Sequence, residues 1–344
     1  MTLQQAIRTL TEGGDLSADD MRAVMQLIMT GEATPAQIGG FLIALRMKGE
    51  TVDEIAGAVQ VMRELATGVQ VPVSYRSSLV DIVGTGGDAS GLFNVSTASC
   101  FVVAAAGGRV AKHGNRAVSG KSGAADVLEA AGVTLALKPE AVAECVKQLG
   151  VGFMFAPAFH SAMKHAIGPR KEMGVRTVFN LLGPLTNPAG APNQLIGVFD
   201  GRWLKPVAQV LNKLGSRHVL VVHSSDGLDE ISCAAPTHFA ELKNGAVHTG
   251  TIDPQRLGVP VGSSLSKLRA EDAESSLRLI RSALGNEPGP ARDIVALNAG
   301  AALYVAGQAA DLAGGVELAR ETLETGDALR RLEALAELSG KLAA

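Results

Sequence analysis

Apolar positions in the first 67 residues recur at the spacing of a helix face. Four sets fit the i, i+3, i+4, i+7 template: Leu3, Ala6, Ile7 and Leu10; Met21, Val24, Met25 and Ile28; Ile38, Phe41, Leu42 and Leu45; Val52, Ile55, Ala56 and Val59. Start signals precede the last three. Ser17 leads into Asp19-Asp20, Thr34 is followed by Pro35, and Thr51 opens a capping box with Glu54. Each stripe has to bury itself against another, which predicts a small helical bundle.

The stretch "TGVQVPVSYRSS" breaks that pattern, and short apolar runs then alternate with helical ones. Strands are expected at 79–83, 109–111, 151–155, 195–199 and 218–223. Helices are expected at 97–106, near 123–131, from Pro139 to the stop at Gly150, and at 204–214. Strand and helix in alternation imply a mainly parallel sheet covered on both faces, hence an α/β class. Asn244-Gly245 between two short runs marks a hairpin, and 292–339 reads as Ala/Leu-rich helix.

Composition narrows the function classes. A hydrophobic content of 47% in 344 residues supports a sizeable core, in one large domain or two unequal ones. No run reaches the roughly 18 uncharged apolar residues of a membrane span. The start "MTLQQAIRTLTEGGD" has no apolar signal core, so a cytoplasmic location is expected. Cys100, Cys145 and Cys233 are scattered among apolar neighbours, which argues against a disulfide framework and a zinc site. A net charge of −3 and 3% aromatics argue against nucleic acid as a partner.

One stretch looks built to hold an anion. In "DIVGTGGDASGLFNVSTAS" a strand runs into a glycine-rich loop and then a helix start. Converging backbone N–H groups and a helix N-terminus favour phosphate. Gly84 to Ala89 satisfies a loose dinucleotide fingerprint, but the helix begins some ten residues later and the next strand ends in Lys112, not in an acid. A second loop, "KHGNRAVSGKSG", contains Gly-Lys-Ser. Asn115 stands where a nucleotide P-loop needs its first glycine, and Gly114 makes the spacer one residue too long. Two polar loops in tandem remain, both expected at the carboxyl edge of the sheet. The first offers N–H groups and the side chains of Asn94, Ser96 and Thr97. The second offers Lys112, Arg116 and Lys121. One ligand with phosphate groups at both ends would use both.

Taken together, "GTGGD", "NVSTAS", "KHGNRAVSGKSGAADVLEAAGV", "FAPAFHSAMKHAIGPRKEMGVRTVFNLLGPLTNPA" and "DGLDEIS", in this order, closely resemble the anthranilate phosphoribosyltransferase family over nearly the whole chain. The resemblance implies a nucleoside phosphorylase/phosphoribosyltransferase-like fold. A small helical domain, 1–70 with a returning segment near 173–186, would join an α/β phosphoribosyl-binding domain, 71–344, usually in a homodimer through the helical domain. It implies transfer of the phosphoribosyl group of phosphoribosyl pyrophosphate (PRPP) to anthranilate in tryptophan biosynthesis, with magnesium. Carried over by position, PRPP would meet Gly84, Gly87, Asp88, Leu92, Asn94, Val95, Ser96, Thr97, Lys112, His113, Gly114, Asn115, Arg116, Ser119, Gly120 and Ala124. Anthranilate would meet Gly84, Asn115 and Arg170, with His113 and His160 nearby, and Ser96, Asp229 and Glu230 would serve magnesium. The family often has hydroxyl residues where this chain has Leu92 and Ala124, so contact there has to come from backbone.

The residue types suit that chemistry. Adjacent carboxylates on an irregular turn, Asp229-Glu230, can face a metal ion, though an Asp-Glu pair is more commonly a solvated turn. A guanidinium at Arg170 can pair with a carboxylate bidentately, or merely close a salt bridge at a helix start. Histidines in loops are more often structural than proton carriers. No covalent nucleophile stands out, which fits direct displacement at the ribose anomeric carbon with inversion. Two rivals stay open at this point: a pyrimidine-type nucleoside phosphorylase, and a non-catalytic nucleic-acid-binding relative on the same fold.

Overall fold

The computed structural model describes residues 1–87, 90–117, 122–260 and 264–343. The amphipathic stripes form α1 (Leu3–Thr11), α2 (Ala18–Met29), α3 (Pro35–Lys48) and α4 (Val52–Leu65). Ser17, Thr34 and Thr51 each accept a backbone N–H from three residues on, as their positions predict. Thr2 caps α1 in a capping box with Gln5, a start that the apolar periodicity alone does not mark. The stripes bury against one another, α2 on α4 and α1 on α3.

A short helix, α5 (Val73–Arg76), leads into β1 (Leu79–Gly84), α6 (Val95–Ala105), β2 (Arg109–Gly114), α7 (Ala124–Ala130), α8 (Pro139–Leu149) and β3 (Val151–Phe155). The chain then passes through α9 (Ala156–Phe159), α10 (Lys164–Met173) and α11 (Phe179–Leu185), where α10 packs on α3 and α2, and α11 on α4. It continues through β4 (Asn193–Gly197), α12 (Leu204–Lys213), β5 (His218–Ser224), β6 (Thr237–Lys243) and β7 (Ala246–Ile252). It closes with α13 (Ala273–Leu284), α14 (Pro290–Val305), α15 (Leu312–Glu324) and α16 (Asp327–Ala343). Asn244 and Gly245 both take positive φ, 53° and 75°, the backbone that a two-residue hairpin turn needs.

The strands lie in the order β3-β2-β1-β4-β5-β6-β7. β1 to β5 pair in parallel and the β6–β7 hairpin adds antiparallel to β5. Strands β1, β3 and β5 are mostly apolar because each face of the sheet meets a separate core. In β5, Leu220 and Val222 point into the core with α6 and α14, while Val219 and Val221 point into the one shared with α12 and the helical bundle. Cys100, Cys145 and Cys233 are buried free thiols, and burial pushes the Cys100 thiol up to about 12. Among the described residues no helix is long and apolar enough to cross a membrane.

One buried charge ties the bundle together. Glu54 is fully buried at the start of α4. Its carboxylate accepts from Leu16 N at 2.9 Å, Thr51 N at 2.8 Å and Lys48 Nζ at 2.9 Å. The α1–α2 connection, the end of α3 and the start of α4 therefore converge on one side chain. Removing it takes the acceptor from Leu16 N and Thr51 N and leaves the Lys48 ammonium, whose side chain is only 6% exposed, with the exposed Asp15 carboxylate alone at 2.6 Å. Glu54→Ala is expected to cost about 3–5 kcal/mol. Urea unfolding followed by circular dichroism checks this; a loss below 1 kcal/mol would mean the network is dispensable.

Candidate active site

The sheet order reverses at β1: the chain goes to β2 on one side and β4 lies on the other. Such a switch point leaves a crevice at the carboxyl ends of the strands. Both loops singled out in the sequence open there, one after β1 and one after β2. Asp88, Ser119, Gly120 and Lys121 lie outside the described residues.

The first loop is shaped by glycine. Gly84 and Gly197 are register partners at the ends of β1 and β4. A Cβ at Gly84 would lie 2.5 Å from Asp229 Oδ2, and one at Gly197 would lie 1.5 Å from the Asp229 carbonyl oxygen. Only a residue without a side chain lets the Asp229 turn come so close. Gly86 N donates to Asp229 Oδ2 at 3.0 Å, so this carboxylate also fixes the loop. Gly86 and Gly87 follow with φ of 64° and 80°, left-handed backbone that turns consecutive peptides inward. Arg176 donates to the Gly87 carbonyl and lies over the Phe199 ring at 4.4 Å.

Beyond the loop, Asn94 stands at the start of α6, followed by buried Val95, half-buried Ser96 and buried Thr97, whose Oγ1 has no partner among the described residues. Lys112 is a buried strand residue rather than a loop cation. Its ammonium donates to Ile82 O at 2.7 Å and to Ser96 Oγ at 3.2 Å, which brings positive charge under the first loop. Asp81, fully buried beside it, accepts from Asn187 Nδ2 at 2.7 Å and from His113 N at 3.2 Å. Burial pushes this carboxyl up to about 6, with Lys112 and these hydrogen bonds opposing the shift.

Gly114 ends β2 where a Cβ would lie 2.8 Å from the Phe153 ring. Asn115 and Arg116 are exposed beyond it. The Arg116 guanidinium pairs with Asp126 at 3.0 Å and Glu129 at 2.8 Å, so its charge is shared with two carboxylates of α7. Leu92 N is taken up by Ser90 Oγ at 3.3 Å, and Ala124 begins α7.

The returning helices complete the crevice. The His113 and His160 rings lie 4.9 Å apart, both buried. Each bonds a backbone group of the α11 region, Gly183 for His113 and Thr186 for His160, and each leaves Nε2 buried without a partner among the described residues. Burial pulls His113 down to about 3 and His160 to about 4, so both are neutral near pH 7. Arg170, half-buried in α10, lies over the Phe179 ring at 5.1 Å and has no carboxylate partner among the described residues. Among the described residues, then, no salt bridge closes at Arg170, and its guanidinium is a cation suited to an anionic ligand.

No cluster of three or more His, Cys, Asp or Glu side chains that could cage a metal occurs among the described residues. Asp229, Glu230 and the Ser96 hydroxyl supply oxygen only. That set fits magnesium, which binds through one or two carboxylates together with substrate phosphates and keeps several waters. It does not fit zinc.

Several contributors had weak signals in the sequence. Asp81 interrupts an apolar strand, and a buried acid needs partners. Gly197 ends a strand, as Gly84 does. Arg176, Asn187 and Ser276 carry no local pattern, and only the fold brings them to the crevice.

The two histidines couple stability to pH. Their folded pKa values lie below the usual 6.5, so the unfolded chain binds more protons and stability falls as pH drops from about 6.5 towards 4. Asp81 acts oppositely, because its folded pKa exceeds 3.8, and it offsets about one of the two protons. A net loss of about 1.4 kcal/mol per pH unit is expected across that window. Replacing both histidines by Gln leaves only the Asp81 contribution and should reverse the slope in urea titrations, stability then rising by about 1.4 kcal/mol per unit as pH drops from about 6 towards 4; an unchanged slope would show that the rings titrate normally.

Comparison with known proteins agrees with this fold. The family model for the glycosyl transferase family helical bundle domain matches residues 4–66, and that for the family's a/b domain matches residues 76–329. The chain is 64% identical over 335 residues to anthranilate phosphoribosyltransferase of Thioalkalivibrio sulfidiphilus, covering 97% of this chain and 98% of that protein. It is 58% identical to that of Methylococcus capsulatus, with both chains fully covered. The crystal structure of the Thermus thermophilus enzyme superposes with a TM-score of 0.91 at 44% identity, covering 97% of this chain and 99% of that one. The Saccharomyces cerevisiae enzyme in complex with PRPP and Mg gives 0.88 at 26% identity, covering 99% and 98%. The chain belongs to the anthranilate phosphoribosyltransferase family.

Proposed function

We propose that the crevice at the β1/β4 switch point transfers the phosphoribosyl group of PRPP to the amine of anthranilate, giving N-(5-phosphoribosyl)anthranilate and pyrophosphate for tryptophan biosynthesis. The observation that carries this reading is an anion cradle, Gly84–Gly87 with the start of α6, in a chain whose returning helix α10 carries a half-buried Arg170 with no carboxylate partner among the described residues. PRPP lies along the first loop, at Gly84, Gly87, Asp88, Leu92 and Asn94 to Thr97. It extends to the second, at Lys112 to Arg116, Ser119, Gly120 and Ala124. Leu92 and Ala124 contribute through backbone only. The Thr97 hydroxyl, orphaned among the described residues, is matched to a phosphate oxygen.

Arg170 holds the anthranilate carboxylate, with Gly84 and Asn115 lining the ring site. His113 and His160 are neutral and anchored through one ring nitrogen each. They offer their Nε2 lone pairs to the amine N–H groups. Asp229 and Glu230, with the second lone pair of Ser96, are the groups that would hold magnesium, which neutralises the negative charge that develops on the leaving pyrophosphate. An aromatic amine is largely unprotonated at neutral pH and attacks the anomeric carbon directly, with inversion. What the chain supplies is alignment and charge placement.

We also propose a cytoplasmic homodimer joined through the helical part. Ile43 and Met47 of α3 and Ile167 of α10 are exposed apolar side chains on helices that pack together, and Val175 follows α10. Sedimentation should give twice the chain mass; a monomer at micromolar concentration would overturn the dimer.

The activity is tested by anthranilate fluorescence. Signal should decay only when PRPP and magnesium are both present, and chelation should stop it. A flat trace with PRPP still binding would move the acceptor to another amine. Arg170→Ala should raise the anthranilate KM by about 10- to 150-fold, the loss of a charged hydrogen-bonded contact of about 1.5–3 kcal/mol, and leave the PRPP KM unchanged. Equal effects on both would remove Arg170 from the carboxylate.

A further inference from the structure

We infer that Ser276, on the first turn of α13, is a positioning residue for PRPP: its hydroxyl orients the Asn94 amide so that an N–H, and not the carbonyl oxygen, is left for the substrate's anionic oxygens. This rests on the placement of Asn94 in the PRPP site proposed above.

Asn94 is half-buried at the start of α6, and its side chain makes no helix-capping bond. It is clamped sideways instead. Asn94 Nδ2 donates to the Ser122 carbonyl at 3.2 Å. A carbonyl only accepts, so the group facing it has to be the NH2, which fixes the orientation of the amide. Asn94 Oδ1 then accepts from Ser122 Oγ at 3.1 Å and from Ser276 Oγ at 2.7 Å, which uses both of its lone pairs. Ser276 Oγ in turn accepts from Asn94 N at 3.0 Å, so its own proton is directed at Oδ1. The group left to Asn94 is the second Nδ2–H, a donor, which is the polarity an anionic oxygen requires.

Ser276 is fully buried, and its partner lies 182 residues earlier in the chain. The approach to α13 is held to the same loop. Phe93 N donates to Leu268 O and Ala270 N to Gly91 O, both at 2.9 Å. The C-terminal part of the chain thus braces the exit of the glycine loop through backbone, and Asn94 through Ser276. Ser122 does the same from the second loop, so the Asn94 amide is oriented from two sides of the site.

The test is a double-mutant cycle read as separate KM values. Ser276→Ala, nearly isosteric, should raise the PRPP KM about three- to tenfold and leave the anthranilate KM unchanged. Ser276→Cys, which keeps an S–H in the place of the O–H but is slightly larger and donates weakly, should move it in the same direction and serves if the alanine variant melts early. In an Asn94→Ala background the Ser276→Ala step should add nothing. Asn94→Asp, which replaces the free N–H by a carboxylate oxygen, should raise the PRPP KM beyond Asn94→Ala. An additive effect of Ser276, or an unchanged PRPP KM in Ser276→Ala where Asn94→Ala raises it, overturns the inference while the PRPP site stands. An unchanged PRPP KM in Asn94→Ala overturns both the inference and the placement of Asn94.

Discussion

The site depends on one close approach. Gly84 and Gly197 face each other at the ends of neighbouring parallel strands, and the Asp229 turn fills the space that their missing side chains leave. This single steric condition places a carboxylate at the switch point of the sheet and anchors the glycine loop to it through Gly86 N. It also aligns the first loop with the end of β4. A methyl group at either position would push the turn out and with it both acids. The left-handed peptides at Gly86 and Gly87 are useful only because the loop's base is already fixed there.

Beneath that contact lies a second layer of buried polarity. Lys112 reaches from β2 under β1 to Ser96, and Asp81 holds the β2 backbone at His113 and the Asn187 amide, which also donates to Ala111 O at 2.8 Å. Buried ions are poor sources of stability, and the raised Asp81 carboxyl is a sign of that cost. Their arrangement makes sense as orientation: they lock β1, β2, the start of α6 and the 187 turn into one frame. The helical bundle uses Glu54 in the same manner, where one acid fixes three chain segments.

The fold was largely legible because its signals are local. Helix stripes with Ser17, Thr34 and Thr51 at their starts, the Asn-Gly hairpin and the Gly150 stop each follow from a few neighbouring residues. Strand lengths were less legible. β2 extends through Gly114, beyond the expected 109–111, because its last residues pair with β3 across the sheet. The loops of the site were visible for the same local reason, yet their supports were not. Gly197, Asn187, Arg176 and Ser276 each act on a residue roughly a hundred positions or more away, and no window of sequence contains both partners. Lys112 shows the limit most clearly: the residue type suggests a solvent-facing loop cation, whereas the register of β2 buries it.

The two histidines follow from the same preference for placement over strength. Burial among the returning helices deprives them of basicity, a poor choice for a group that must pull a proton from an alcohol or a water. An aromatic amine makes a lesser demand. It attacks in its neutral form, and once bonded to the ribose it becomes a strong acid that gives up its proton readily. On the placement of the histidines proposed above, a neutral imidazole with a fixed lone pair is then sufficient as an acceptor, and its remaining unprotonated near pH 7 would keep a competing positive charge away from the ribose carbon, where the transition state carries its own. On this reading the weak basicity is what the reaction requires, and the absence of an obvious strong base among the described residues of the crevice is a consequence of the nucleophile.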